Sequence, residues 1–112
     1  MIIPRDIEAE IYFLPTQQGG RSTFASSRYR PQFCYNGNNW DARHEYPDVD
    51  AVNPGDTVRA YIGFLSPRKH VGRVRVGLDF EIREGARVVG KGVVTKILEL
   101  KRSACRASKS AT

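Results

Sequence analysis

The chain is predicted to be all-β, an antiparallel sandwich or barrel of six strands, on three observations. Several runs alternate apolar and polar residues with period two, as Asp6–Leu14 and Thr57–Leu65 do. Dense turn signals, among them Asn36-Gly37-Asn38-Asn39 and Asn53-Pro54-Gly55-Asp56, separate those runs. No segment carries a sustained apolar stripe of helical period, so the expected helix content is near zero. Closure into a barrel would remove the exposed edges that six short strands otherwise leave.

The elements follow in order. In Asp6–Leu14, Ile7, Ala9, Ile11 and Phe13 share one face, and Pro15 ends the strand. Gln17-Gln18-Gly19-Gly20 is turn composition. The stretch Gly19–Phe33 mixes turn glycines, arginines and the rings of Phe24, Tyr29 and Phe33, which is unusual for a plain connection and marks a binding loop or a barrel plug. A short strand is expected at Gln32–Tyr35, then a tight reversal at Asn36-Gly37, whose residues tolerate positive φ, into a strand at Trp40–Tyr46. Pro47–Asp56 is a loop, and Thr57–Leu65 a strand with Val58, Ala60, Ile62 and Phe64 on one face. After Ser66-Pro67 and the basic loop Arg68–Gly72, Val74, Val76, Leu78, Phe80 and Ile82 alternate with charged residues, which predicts the longest uninterrupted alternation to be one strand. Glu84-Gly85-Ala86 is a hairpin turn into a final strand, Arg87–Leu100, where Gly90 and Gly92 predict a bend or bulge.

At 112 residues the chain is one domain, burying roughly two-thirds of the surface its unfolded form exposes. The expected division is a barrel over residues 1–100 and a basic, flexible tail over 101–112. Of the net charge of +6, +4 falls in that tail and +2 in the remainder, so the folded part is only mildly basic. No apolar run is long enough to span a bilayer and the first residues do not resemble a signal peptide, which predicts a cytoplasmic protein without a membrane partner. Cys34 and Cys105 are expected as reduced thiols.

The chain lacks the signatures of common catalytic chemistry. It has no GxxxxGK[ST] or GxGxxG phosphate loop, no HExxH and no GxSxG. Its two histidines, His44 and His70, stand apart from any metal-ligand spacing. No enzyme activity, catalytic residue, metal site or cofactor is expected. Asp79 and Glu81 alternate with arginines, as in a charge-balanced sheet face. His70 beside Arg68, Lys69 and Arg73 is either part of a phosphate-binding patch or a solvated loop residue.

DIEAEIYFL, GGRSTF, YRPQF, NPGD and FEIREGARVVGKGVVTKIL, in this order over residues 6 to 100, resemble the third, C-terminal domain of the translation elongation factor Tu family. The resemblance implies a six-stranded antiparallel Greek-key β-barrel. It also implies a domain that hydrolyses nothing, contacts the T stem of aminoacyl-tRNA, and packs against a GTPase domain and a nucleotide exchange factor. Arg21 in GGR, Gln32 in RPQF, and Glu84 with Gly85 in REG match the positions that meet tRNA. Ser22 stands where the family motif GGRHT has a histidine, Ser66 where a basic residue is common, and Asp41 near a threonine that meets the RNA. The family's TTDVTG hairpin reads NGNNWDA, and Pro67–Asp79 is longer and more basic than its counterpart. Neither the GTPase domain nor the second barrel is present in these residues, so a barrel acting without the GTP-gated mechanism is expected.

Two functions of different class follow. In the first, the barrel binds structured RNA, the acceptor and T-stem region of tRNA, through Arg21, Ser22, Arg28, Arg30, Gln32, Glu84 and Gly85, helped by Arg68, Lys69 and the tail. Arginine suits phosphate, glutamine a sugar hydroxyl, and a glycine turn the close approach of a backbone. In the second, it is a protein-interaction module or decoy that engages a GTPase domain, an exchange factor or another ligand of the elongation factor. A purely structural role for the RPQ and EG turns is the third reading.

Overall fold

A computed structural model of the protein describes residues 4–110. Six strands occur in the order β1 (Ile7–Phe13), β2 (Gln32–Tyr35), β3 (Asn38–Glu45), β4 (Thr57–Phe64), β5 (Asp79–Glu84) and β6 (Arg87–Ile97), followed by a helix, α1 (Leu100–Ser110). The strands close into an antiparallel barrel ordered β1-β4-β3-β2-β5-β6. Three consecutive hairpin-connected strands, β2 to β4, with β1 beside β4, make this a Greek key.

Alternation fills the interior as the sequence predicts: Ile7, Ala9, Ile11 and Phe13 from β1 and Ala60, Ile62 and Phe64 from β4 are buried. At the centre Phe33 stacks on Phe80 with ring centroids 4.2 Å apart and meets Phe64 edge-on at 5.0 Å. Phe80 lies against the backbone of β6, where a Cβ on Gly92 would come within 2.4 Å of its ring. Gly92 is therefore the space that the core ring occupies. The expected irregularity in β6 is present on either side of these glycines. Register shifts leave Val89 opposite the Ile82/Arg83 junction and Thr95 opposite the Glu8/Ala9 junction, each an extra residue that bends the strand. At Asn36-Gly37 φ is 50° and 77°, the two positive values of a type I′ hairpin.

The register fixes two ends. One end carries the β1–β2 connection, the β3–β4 loop and the β5–β6 turn, because Tyr12 faces Thr57, Gln32 faces Arg83 and Glu84 faces Arg87. The opposite end carries the β2–β3 turn, the β4–β5 connection and α1.

Three expectations are corrected. The run from Val74 is not one strand: Gly72 and Gly77 have φ of 81° and 91°, residues 70–78 form turns, and β5 begins only at Asp79. Val76, inward-facing by alternation, is 64% exposed. The last strand stops at Ile97. The span expected as a tail is helical over Leu100–Ser110, which ends the expectation of near-zero helix. Its anchor is local to the barrel floor: Leu100 and Ser103 are buried, and the Ser103 hydroxyl donates to the carboxylate of Asp6, which also accepts from the Phe64 N–H at 2.8 Å. Residues 1–3 of the expected barrel span and 111–112 of the tail lie outside the described residues. No helix among the described residues is long and apolar enough to cross a membrane.

Candidate nucleic-acid interface

Gly19–Phe33 is both a plug and a surface. Gly20 enters it in contact so close that a Cβ would sit 1.9 Å from the Leu14 carbonyl oxygen, which leaves glycine as the residue that fits. Ala25 exchanges two backbone hydrogen bonds with Val52, at 2.8 and 2.7 Å. Arg28 N–H donates to His44 O and His44 N–H to Tyr29 O, both at 2.8 Å, and Ser27 Oγ accepts from the Tyr46 N–H at 2.9 Å. Buried Ala25 and half-buried Tyr29 face the core, with the Tyr29 ring beside Phe13 and His44. Phe24 stays outside, 57% exposed.

The loop is tied to the β5–β6 turn by one cluster. The Arg21 guanidinium donates to Glu84, and so does the Tyr29 hydroxyl. Arg21 also lies over the Tyr29 ring at 4.5 Å and donates to the Phe24 carbonyl at 3.2 Å. Arg87 approaches the other Glu84 oxygen at 3.6 Å. Burial raises the Glu84 carboxyl, but the hydrogen bonds from Tyr29 and Arg21, with the charges of Arg21 and Arg87, outweigh it and hold the group below its usual range. Burial and the neighbouring Glu84 carboxylate push the Tyr29 hydroxyl up, so it stays a donor.

This geometry divides the candidate residues into three groups. Arg21 and Glu84 are paired with each other and Arg21 also donates to the Phe24 carbonyl, so Arg21 positions the loop and its guanidinium is not unpaired. Ser22, Arg28, Arg30 and Gly85 are exposed around that clamp, and half-buried Gln32 pairs in register with Arg83, one residue from Glu84, with Asp41 on its other flank. Arg68 and Lys69 sit at the opposite end of the barrel, beside α1, so they do not extend this surface. His70 is neither a patch residue nor a solvated one. It is fully buried, stacked on Phe64 at 4.0 Å, with Nδ1 2.7 Å from the Tyr35 hydroxyl.

Tyr29 is the residue that sequence reasoning underrates. Its place between two arginines suggests a stacking ring, whereas its hydroxyl joins two loops separated by 55 positions in the chain. Arg21→Ala removes a part-buried charged hydrogen-bond set, and the expected loss is about 1–3 kcal/mol of stability, read as a lower urea midpoint.

Residues 3–98 match a family model described as the elongation factor Tu C-terminal domain. The match takes in all six strands and leaves α1 outside it.

Proposed function

The chain belongs to the elongation factor Tu C-terminal domain family, and from that premise we propose that it is a non-catalytic, cytoplasmic barrel that binds the acceptor and T-stem region of tRNA. The binding surface is the barrel end formed by Gly19–Phe33 and the Glu84-Gly85 turn. One observation carries the reading. Arg28 holds φ of 79°, a left-handed conformation that glycine would adopt without strain, and yet the position carries a long, exposed cation. Its backbone is fixed by the bond to His44, and Arg30 lies on the other side of Tyr29. The clamp of Arg21, Tyr29 and Glu84 thus presents two exposed arginines, neither in an ion pair among the described residues. Two guanidinium groups fixed on a rim beside an exposed glycine turn suit a phosphate backbone crossing that rim.

The test is binding of aminoacyl-tRNA, uncharged tRNA and a random duplex across a salt series. Replacing Arg28 and Arg30 together by Gln is expected to flatten the tRNA slope, d log K against d log salt, by about 2 at roughly 0.9 per contact. An unchanged slope in the double variant counts against the surface.

A second reading, docking to a GTPase domain or exchange factor, is favoured by the exposed Phe24 ring on the same rim. Recovery of a GTPase without RNA, lost on Phe24→Ser, would support it.

A further inference from the structure

We propose a second nucleic-acid surface at the opposite end of the barrel, where the β4–β5 connection and helix α1 together present a cationic face to the phosphate backbone of a duplex. The inference stands apart from the tRNA reading, since it uses other residues on the other side of the core.

The two ends differ sharply in charge. At the Gly19–Phe33 end, Arg21, Arg28, Arg30, Arg59 and Arg87 share the rim with Asp48, Asp50, Asp56 and Glu84, of which Glu84 pairs with Arg21 and Arg87 and Asp48 with Arg59. At the opposite end, residues 65–78 carry Arg68, Lys69, Arg73 and Arg75 with no acid, and residues 98–107 carry Lys101, Arg102 and Arg106 against Glu99 alone. All seven cations are exposed. Glu99 is near Arg102 at 3.5 Å and Arg106 at 3.9 Å. Arg68, Lys69, Arg73, Arg75 and Lys101 form no ion pair among the described residues. Unneutralised like charges brought to one end of a domain repel one another, and release of counterions from a bound polyanion is the interaction that uses them.

The fold brings the two segments together. Ala107 of α1 lines one groove with Leu65, Ser66, Pro67, Arg68 and Lys69. The helix docks through buried Leu100 and through Ser103 on Asp6, which leaves Lys101, Arg102 and Arg106 facing solvent. That docking also selects between polyanions. A helix lying on a membrane must turn its apolar face to the lipid, and here that face is spent on the barrel floor. Cations spread over a loop and a helix match a repeating backbone better than a single carboxylate pocket.

The experiment measures the full chain against a random-sequence duplex of about 20 base pairs across a salt series, with anionic vesicles as a parallel arm. Replacing Arg68, Lys69 and Lys101 by Gln is expected to reduce the duplex slope by about 2–3, at roughly 0.9 per contact. An independent pair, Arg73→Gln with Arg75→Gln, is expected to reduce it by about 2. The Arg28 and Arg30 substitutions are measured separately on tRNA and on the duplex, so failure at one end is separable from failure at the other, and a duplex slope lowered by that pair alone overturns the proposal. Unchanged duplex slopes in both variant sets overturn the proposal. Vesicle binding that exceeds duplex binding and is lost in the triple variant overturns it as well, by assigning the face to lipid headgroups.

Discussion

Lowering the pH from 7 to 5 is expected to cost the barrel about 4 kcal/mol of stability, because two neutral histidines are sealed into its two ends. His44 and His70 are each at most 1% exposed. Each points Nδ1 at a tyrosine hydroxyl, Tyr46 at 2.9 Å and Tyr35 at 2.7 Å, and buries Nε2 without a hydrogen-bond partner among the described residues. A second proton would place a charge where nothing accepts it. Burial accordingly lowers His44 from 6.5 to about 3, and burial with the nearby Arg73 charge lowers His70 from 6.5 to about 4. Below pH 6.5 the unfolded chain takes up both protons while the folded chain refuses them. The stability they contribute is therefore complete above that pH and lost as pH falls towards the folded values, with a slope approaching about 2.7 kcal/mol per unit for the pair. Glu84, held low by its partners, acts in the same direction further into the acid range. Asp6, raised by burial, acts oppositely, since the folded state protonates it first. Urea midpoints at pH 7, 6 and 5 read the effect. A flat profile over that range would mean that both histidines are protonated inside the fold, and half the slope that one of them is.

Phe33→Ala is the substitution expected to damage the fold most, by about 3–5 kcal/mol. The ring is wholly buried, stacked on Phe80 and edge-on to both Phe64 and Tyr35. Its removal opens a cavity that β6 cannot collapse into, because Phe80 already rests on the bare backbone at Gly92. Phe33→Leu keeps most of the volume and is expected to cost less than half as much. Equal unfolding midpoints for the wild-type chain and the alanine variant would show that the aromatic layer is not the centre of the core.

These residues also show why the sequence was legible where it was. In RPQF the proline and phenylalanine are buried and Gln32 is turned outward, so one short motif contains a strand start, a core anchor and a surface residue. β1, β2, β4 and the Asn36-Gly37 turn follow from local periodicity and local φ preference, and the structure places them as expected. Residues 74–78 mislead because valines alternate with arginines in a segment whose glycines bend it out of the sheet. Helix α1 escapes detection for a different reason. Its inner face uses Leu100, Ser103 and Ala107, too small a set for an apolar stripe, and its anchor bond joins residues 97 positions apart. The clamp at the other end is equally non-local, with 63 positions between Arg21 and Glu84. Charge type alone suggested that Arg21 was free for phosphate; only the fold supplies its partner.

The closure of the barrel has a consequence for how the chain is made. Ile7 pairs with Ile62 on one side and with Ile97 on the other. Of the six strands β1 is therefore made first, finds its first neighbour only once β4 exists, and its second only when β6 has emerged. During that interval an apolar, pairing-competent segment is exposed, and contacts of such large sequence separation form slowly. Nascent chains stalled before β6 should accordingly engage chaperones through β1, and release of the last strand is the event that ends this exposure.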